Sequence, residues 1–419
     1  MDFTFIHAAD IHLDSPLVGL ERYEGAPVEY VRGATRQAFR NLVQLALEEK
    51  VNFVLIAGDL YDGDWRDYNT GLFFAAQAGL LRQAGIPIYL VRGNHDAASQ
   101  ITRQLRLPDN VYDFSTRKPE TKVIEELAVA IHGQGFPTRD VSEDLSKQYP
   151  APLTGHFNIG LLHTCATGRE GHGNYAPCDV DYLKNKGYDY WALGHVHNRE
   201  ELSREPWIIF PGNIQGRHIR ESGPKGCTLV RVQDGRVQEV RPQTLDVLRW
   251  HLCKVDAASC ASYGELLERA KSEIGAVPEL REGHLLALRL VLSGACPIHR
   301  QLQVNRQGLD NDLRALATEQ GPESIWIEKV RLQTRPQTRA GGLLAGGPVD
   351  TLRWFMAELG TDDTFLEELV SALERERNTL PGDLFQEGEL DPGDPQYLGE
   401  LLPQVEELIL SRLCPKEAD

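Results

Sequence analysis

One short pattern recurs five times in this chain: an apolar run of strand character that ends abruptly at Asp, Asn or His. The clearest case is the stretch from Val54 to Asp59, in which a glycine and a carboxylate follow four apolar residues. Short apolar runs bounded by turn residues are typical of buried strands. The other runs lead into residues 10–12, 94–96, 163 and 195–197. The pattern therefore predicts a set of metal-ligand side chains on one edge of a sheet.

These residue types suit a pair of divalent cations, which in two-metal sites lie roughly 3.5–4 Å apart and clamp a phosphate ester. Such a pair needs one carboxylate that touches both ions, and Asp59 is the candidate because it lies in the middle of the set. We expect one ion to take Asp10, His12 and His197, and the other to take Asn94, His163 and His195. His95 adjoins a ligand without being needed as one, so it is the candidate that protonates the leaving oxygen.

Each piece alone has a simpler structural explanation. A single Asp-x-His, or one Gly-Asp after a strand, is more often a turn or a helix cap than a metal ligand. Five such segments in one chain, each at the end of a predicted strand, favour the metal site over five unrelated turns.

In that order, D-x-H, G-D, G-N-H-D, H and G-H-x-H resemble the signature of the calcineurin-like metallophosphoesterases. The longer segments Ala8–Asp14 and Gly58–Asp62 are similar to those of the SbcD-type DNA repair exonuclease branch, especially its YhaO-like bacterial members. The resemblance implies that the seven residues named above are metal ligands and that His95 is catalytic. Archaeal and eukaryotic relatives carry a second histidine three residues after the bridging Asp. Here that position is Asp62, as in bacterial members, and it joins the candidate substrate contacts.

The resemblance implies an α/β fold, and the sequence agrees with a two-sheet α/β sandwich core. We expect a core domain at 1–245, a small α/β cap domain at 246–335, a glycine-rich linker at 336–348 and an acidic helical region at 349–419. Residues 1–110 alternate as strand, helix, strand, helix, strand, which predicts parallel strands with a site at their carboxyl ends. In the cap region, helical stretches are expected at 263–274 and 297–319.

Pro211-Gly212-Asn213 resembles a turn found near the active site of this family. Arg217, His218 and Arg220 follow it closely and could form a phosphate-contacting patch. Ordinary solvated surface charge explains the same three residues, and the sequence leaves both readings open. The segment with Trp65 and Arg66 could likewise guide a substrate strand or simply pack as a loop.

The net charge of −17 is concentrated at the C-terminus. Residues 341–419 hold 18 acidic and 5 basic side chains, which leaves the preceding residues nearly neutral. The acidity therefore weighs little against a DNA-facing N-terminal part. No apolar run approaches the ~18–20 residues of a membrane span, and the seven cysteines are scattered without a Cys-x-x-Cys pair, so a cytoplasmic protein with no membrane contact is expected.

The C-terminal helices are expected at 349–359, 363–377 and 401–413, with apolar faces too short to form a core of their own. The family resemblance implies an SbcC-type coiled-coil ATPase as the partner that these helices grip. The alternative is that they fold back onto the cap domain of their own chain. The oligomeric state stays open, a homodimer included.

We therefore expect a two-metal DNA phosphodiesterase with exonuclease or end-processing activity, with the DNA substrate resting on the resemblance. The mixed nitrogen and oxygen ligands suit manganese first, and also iron or zinc. A small-molecule phosphoesterase is the alternative enzyme, and a scaffold subunit that depends on its ATPase is the alternative outside catalysis.

Overall fold

The structure is a computed structural model of the 419-residue chain. It describes residues 1–15, 28–62, 68–98, 106–166, 176–277, 283–321, 324–337, 348–359, 362–379 and 395–413. Contacts within the chain define two compact units, Met1–Leu252 with Pro278–Leu288 and Cys253–Val277 with Arg289–Asp419. None of the helices in these described ranges is long and apolar enough to cross a membrane.

The first unit contains two six-stranded sheets, and this confirms the predicted two-sheet α/β core. The first sheet has the order β12-β11-β1-β2-β3-β4, and the second has the order β5-β6-β7-β8-β10-β9. The strands are β1 (Phe3–Ala8), β2 (Phe53–Ala57), β3 (Ile88–Val91), β4 (Val111–Asp113), β5 (Glu120–Ile124), β6 (Val129–Gly133), β7 (Phe157–His163), β8 (Tyr190–Gly194), β9 (Glu200–Arg204), β10 (Trp207–Phe210), β11 (Gly226–Gln233) and β12 (Arg236–Thr244).

The expected alternation of parallel strands and helices is present at the start of the chain. Strands β1, β2 and β3 pair in parallel, and α1 (Val28–Glu48) and α2 (Tyr68–Gln83) make the crossovers between them. Helix α1 begins six residues earlier than Ala34, where the apolar periodicity starts. The short helices α3 (Asn94–Ala98) and α4 (Val180–Asn185) follow β3 and precede β8.

Apolar layers hold the two sheets together and cover their outer faces. Between the sheets lie side chains of β1, β2, β7 and β8, among them Phe5, Phe53, Ile159 and Tyr190. Helices α1 and α2 cover the outer face of the first sheet, and a second cluster around Trp191 covers the other sheet. Strands buried on both faces read as continuous apolar runs, and this explains the pattern seen in the sequence.

A buried histidine ties the two sheets together. His7 on β1 lies with Nε2 3.1 Å from the carbonyl oxygen of Leu193 and with Nδ1 3.0 Å from the hydroxyl of Tyr190. Since a carbonyl oxygen only accepts, Nε2 carries the proton and Nδ1 accepts from the tyrosine. Burial lowers the pKa of His7 to about 3, so the ring is neutral at neutral pH.

The sequence pattern predicted that the five strands that end in candidate ligands belong to one sheet. They are instead divided between two. Strands β1, β2 and β3 belong to the first sheet, whereas β7 and β8 belong to the second. Pattern alone cannot separate the two sheets because both are built from the same kind of apolar parallel strand. The packing of one sheet on the other brings the two sets of strand ends together.

A third sheet has the order β13-β14-β15, with β13 (Leu248–Asp256), β14 (Leu285–Cys296) and β15 (Ile325–Pro336). Helix α5 (Tyr263–Gly275) lies between the first two strands in the sequence. The expected single helix at 297–319 is instead two, α6 (His299–Val304) and α7 (Arg306–Gln320). They separate at Asn305, whose ψ of 48° is not helical. Asparagine favours such breaks because its side chain competes for backbone hydrogen bonds.

The C-terminal helices α8 (Pro348–Leu359), α9 (Asp363–Thr379) and α10 (Pro395–Leu413) pack on one another. Their shared cluster includes Met356, Leu366, Leu398 and Leu402, so the expectation that they lack a core of their own was wrong. Helix α10 begins six residues before Leu401, with a proline in the first helical position, where its missing N–H costs nothing. It also contacts α6.

The predicted domain boundaries at 245, 335 and 348 remain predictions. The contacts place most of the middle region, Cys253–Val277 and the part from Arg289 onward, in the same compact unit as the C-terminal helices. The linker falls almost wholly outside the described residues.

Candidate metal centre

Both sheets contribute strand ends to one cluster of polar side chains. Asp10 and His12 follow β1, Asp59 follows β2, Asn94 begins α3, His163 ends β7, and His195 and His197 follow β8. Ligand atoms of Asp10, His12 and His197 lie within 4.8 Å of one another. Those of Asp59, His163 and His195 do so as well, and so do those of His12, Asp62 and His95. The structure thus brings all the predicted ligands and His95 into the same region.

Several of these residues have left-handed backbone conformations. The φ angles are 50° at Asp10, 46° at His12, 51° at Asp59 and 104° at His195. Backbone hydrogen bonds fix two of them, since the N–H of Asp10 donates to Gly58 and that of His12 donates to Asp59, each at 3.0 Å. Conformations of this kind are concentrated at functional sites, where the surrounding structure holds them in place.

Two glycines make room for the cluster. A Cβ atom at Gly58, where φ is 92°, would lie 2.3 Å from Nδ1 of His163. A Cβ atom at Gly93 would lie 2.2 Å from Oδ1 of Asp59. The glycines of the G-D and G-N-H-D segments are therefore needed because ligand side chains occupy the space of a β-carbon.

Around His163, acceptor atoms face one another without a proton between them. Nδ1 of His163 lies 2.9 Å from the carbonyl oxygen of Ala57, so it must carry the proton of the neutral ring. The lone pair on Nε2 then lies 3.0 Å from Oδ1 of Asn94 and 3.5 Å from Oδ2 of Asp59. An imidazole nitrogen, an amide oxygen and a carboxylate oxygen in this arrangement fit a divalent cation.

Asp59 lies between the two main ligand groups. Its Oδ2 is 3.5 Å from Nε2 of His163 in one group and 4.0 Å from Nε2 of His12 in the other. Its Oδ1 accepts a hydrogen bond of 2.9 Å from the backbone N–H of His95, which fixes the carboxylate plane. This is the position that a bridging ligand requires.

The buried charges of the cluster favour bound cations. Burial alone would raise the pKa of Asp59, but nearby His163, His95 and His12 hold it below its usual value. Burial, reinforced by the charge of Asp59, raises the pKa of Asp10. Burial also lowers the pKa values of His12, to about 3, and of His163 and His197. Unprotonated imidazoles are the form that binds metal, and a bound cation would in turn favour the ionised form of Asp10 beside Asp59.

His197 is oriented by Glu221, a residue that no sequence motif marked. Nδ1 of His197 donates to Oε1 of Glu221 at 2.6 Å, so Nε2 is left with its lone pair, 3.3 Å from Nε2 of His12. A carboxylate behind a ligating histidine fixes its tautomer and ring orientation. Arg217 and His197 hold the pKa of Glu221 well below its usual value although burial opposes them.

His95 is held by Asp62. Their Nδ1 and Oδ1 atoms are 2.8 Å apart, and Ser15 donates to the other Asp62 oxygen at 2.5 Å. Burial acts to lower the pKa of His95, but the hydrogen bond to Asp62 raises it overall. A protonated imidazole beside the ligands can donate a proton to a leaving oxygen.

Comparison with known proteins agrees with this geometry. Residues 3–199 match the calcineurin-like phosphoesterase family, and residues 250–335 match the middle domain of the metallophosphoesterase YhaO. The Bacillus subtilis (strain 168) protein described as uncharacterized metallophosphoesterase YhaO is 35% identical over 343 residues. That match covers 81% of this chain and 83% of the Bacillus protein. This chain belongs to the calcineurin-like metallophosphoesterases.

More distant relatives are described as the DNA double-strand break repair protein Mre11. The Methanopyrus kandleri protein is 26% identical over 253 residues, which cover 55% of this chain and 50% of that protein. The Sulfurisphaera tokodaii protein is 22% identical over 263 residues, which cover 59% of this chain and 64% of that protein. The matched part of this chain thus covers between half and two thirds of the length of these two relatives.

The candidate substrate contacts of this metallophosphoesterase have different surroundings. Arg217 is 15% exposed and lies beside Asp62 and Glu221. His218 is more exposed, with Nε2 3.4 Å from Glu221, and Arg220 is exposed. Asp62 contacts His95 rather than open solvent. Trp65 and Arg66 lie outside the described residues.

Asp96, the last residue of G-N-H-D, connects the loops that carry two ligands. Its carboxylate accepts from the backbone N–H groups of Leu60 at 3.2 Å, Tyr61 at 2.9 Å and Gly93 at 3.0 Å. Burial, together with the charge of Asp59, raises its pKa to about 7. The motif itself was the signal for this residue. Glu221 had no comparable signal, because it ends a single 3₁₀ turn, Ile219–Glu221, that no periodicity predicts.

Proposed function

We propose that this metallophosphoesterase hydrolyses DNA phosphodiester bonds, as an exonuclease or an end-processing nuclease of the SbcD type. The observation that carries the phosphodiester chemistry is the pair of ligand groups on either side of Asp59. The choice of DNA is supported by the Mre11 relatives, which are 22–26% identical to this chain over 253–271 residues.

We propose two divalent cations, one held by Asp10, His12 and His197 and the other by Asn94, His163 and His195, with Asp59 shared. Such a pair supplies Lewis-acid activation and charge neutralisation for phosphoester hydrolysis. Manganese is the proposed metal, since the mixed carboxylate, amide and imidazole set suits it.

The chain's own residues supply the proton for the leaving oxygen and hold the histidines of the site in place. His95 is partly exposed, and Asp62 engages its Nδ1, so Nε2–H is the proton that it can donate to the leaving oxygen. Asp62 holds the ring in place and favours its protonated form. On the opposite side, Glu221 and the carbonyl of Ala57 keep His197 and His163 in the tautomers that leave Nε2 unprotonated.

An SbcC-type coiled-coil ATPase is the proposed partner of the C-terminal helices. These helices have a small core of their own, yet Phe355, Val405 and Leu408 on them are between 42% and 50% exposed. The surrounding segment is strongly acidic, which favours a basic partner surface over DNA. Apolar side chains exposed on a structured helix suit a protein–protein contact.

A single assay separates the proposed activity from its alternatives. The purified full chain is given end-labelled linear duplex DNA, bis-p-nitrophenyl phosphate or cyclic nucleotides, each with Mn²⁺ and each with chelator. We expect manganese-dependent cleavage of DNA and of the diester, and none by an identically purified His163→Ala variant. Hydrolysis of cyclic nucleotides with DNA left intact would identify a small-molecule phosphoesterase. Inactivity on all substrates, restored by an SbcC-type ATPase, would indicate a partner-dependent subunit.

A further inference from the structure

Arg217 lies between two carboxylates that belong to different parts of the site. Its Nη1 atom is 3.7 Å from Oδ2 of Asp62, and its Nη2 atom is 3.3 Å from Oε1 of Glu221. Asp62 follows β2 in the first sheet, whereas Glu221 lies in the segment that connects β10 of the second sheet to β11 of the first. The guanidinium therefore links two segments of the cluster that are far apart in the sequence.

Each of these carboxylates orients a histidine of the site. Asp62 uses Oδ1 for His95 at 2.8 Å. Its Oδ2 accepts from Ser15 and also faces Arg217. Glu221 uses Oε1 for His197 at 2.6 Å, and the same oxygen faces Arg217. His95 is the proposed proton donor and His197 is a proposed ligand. The guanidinium of Arg217 therefore contacts the carboxylates that orient both histidines.

The backbone of Arg217 is fixed by the same glutamate. Its N–H donates to Oε2 of Glu221 at 2.7 Å, and Asn213 donates to that oxygen at 2.8 Å. Glu221 itself is buried. The arginine is thus held at both its main chain and its side chain, which limits how far it could move toward a substrate phosphate.

Without the guanidinium, two carboxylates would share a buried site that already contains Asp10 and Asp59. Removing one partner of a buried ion pair leaves an uncompensated charge and is strongly unfavourable. Asp62 and Glu221 would be expected to turn toward solvent or toward other donors, and each would take its histidine out of place. Lysine is a poor substitute because it is a point charge without the two-pronged geometry of arginine.

We infer that Arg217 is a positioning residue that sets the orientation of His95 and His197 together through Asp62 and Glu221, and not a contact to the substrate phosphate. The inference rests on the proposed phosphodiesterase site. It replaces the reading of Arg217 as part of a phosphate-binding patch. The inference does not change the interpretation of His218 and Arg220 as candidate phosphate contacts.

The test compares Arg217→Ala and Arg217→Lys with a matched control, Arg231→Ala. Arg231 also lies between two carboxylates, Glu49 at 2.8 Å and Glu239 at 3.4 Å, but on the surface of the sheet. For each variant, kcat and KM are measured on bis-p-nitrophenyl phosphate, and Mn²⁺ affinity is measured by calorimetry without substrate. Far-ultraviolet circular dichroism checks that each variant is folded.

We expect Arg217→Ala to lower kcat and to weaken Mn²⁺ binding, each on the order of 10- to 100-fold, with KM nearly unchanged. Arg217→Lys should recover only part of the loss, and Arg231→Ala should match the wild type. A raised KM with unchanged kcat and metal affinity would overturn the inference in favour of a substrate contact. If Arg217→Ala does not fold, the same comparison of kcat, KM and Mn²⁺ affinity is made with Arg217→Lys.

Two further variants separate failure of the inference from failure of the proposed function. Arg217→Ala should add little to the loss of kcat in an Asp62→Asn background, and little to the loss of metal affinity in a Glu221→Gln background. Fully additive effects in both would overturn the inference. A wild-type chain that binds Mn²⁺ but hydrolyses no diester would refute the proposed function, while the metal-affinity cycle with Glu221 would still decide the role of Arg217.

Discussion

Nδ1 of His95 lies 2.8 Å from Oδ1 of Asp62, the residue three positions after the central Asp59. The carboxylate accepts a hydrogen bond from the ring Nδ1–H, and a second donor, Ser15, fixes the other carboxylate oxygen. The pair explains how an acidic residue at this position can support the histidine that we propose as the proton donor.

Replacing His95 separates proton donation from metal binding. We expect His95→Asn to lower kcat on the diester by roughly 10²–10⁴, the usual contribution of a positioned acid, while the manganese content stays near that of the wild type. Asp62→Asn should act in the same direction with a smaller loss. Steady-state kinetics and elemental analysis on the same preparations check this, and loss of metal in His95→Asn would make His95 a ligand instead.

Adding a β-carbon at Gly93 should displace the shared carboxylate. Gly93→Ala places that atom 2.2 Å from Oδ1 of Asp59, and we expect Mn²⁺ affinity to fall by roughly 10- to 100-fold. Gly79→Ala is the matched control, because nothing lies within 4 Å of its β-carbon. As a helix position, Gly79 should gain up to about 1 kcal/mol of stability. Equal metal affinity in both variants would show that the space beside Asp59 is not critical.

His7 should make the protein less stable in mild acid. Its pKa is lowered to about 3 by burial, whereas in the unfolded chain it is near the ordinary value of about 6.5. Between these values only the unfolded state binds the proton, so stability falls as the pH falls from about 6.5 toward 3. The slope from this residue is at most about 1.4 kcal/mol per pH unit.

Urea denaturation of the wild type and of His7→Gln across pH 4–7 measures that contribution. Glutamine can donate to Leu193 and accept from Tyr190 but does not titrate in this range. The other titrating groups are common to both proteins, so the difference between the two slopes reports His7. Parallel curves would mean that His7 is protonated as easily in the folded protein as in the unfolded chain.

The C-terminal helices should bind an SbcC-type ATPase through their exposed apolar side chains. Phe355→Glu combined with Leu408→Glu is expected to weaken that complex more than about tenfold, as loss of an apolar anchor does. Leu72→Glu, at a position that is 59% exposed on α2, is the control. Affinity is measured with the purified ATPase by calorimetry. Undiminished binding by the double variant would place the contact elsewhere.

Much of the site could be predicted because its ligands follow apolar strands. Parallel strands place their carboxyl ends on one side, so Asp10, Asp59 and Asn94 could be expected to converge from sequence alone. The division of the ligands between two sheets could not, since strands of either sheet have the same pattern. The C-terminal core was also missed, because helices with short apolar faces bury them only when three pack together.

The supporting residues were the hardest to predict. Glu221 and Arg217 lie in an irregular segment, where no periodicity fixes the direction of a side chain. The charge of Arg217 suits surface charge or a phosphate contact equally well, and no sequence motif marks Glu221. Only the three-dimensional arrangement shows that each faces a residue of the cluster.

Two cations are proposed to share Asp59. Anomalous diffraction from crystals of the full chain grown with Mn²⁺ tests this directly. We predict two manganese peaks, one contacted by Asp10, His12 and His197 and the other by Asn94, His163 and His195. One carboxylate group, that of Asp59, should contact both. A single peak, or two peaks of which Asp59 contacts only one, would contradict the shared-ligand site.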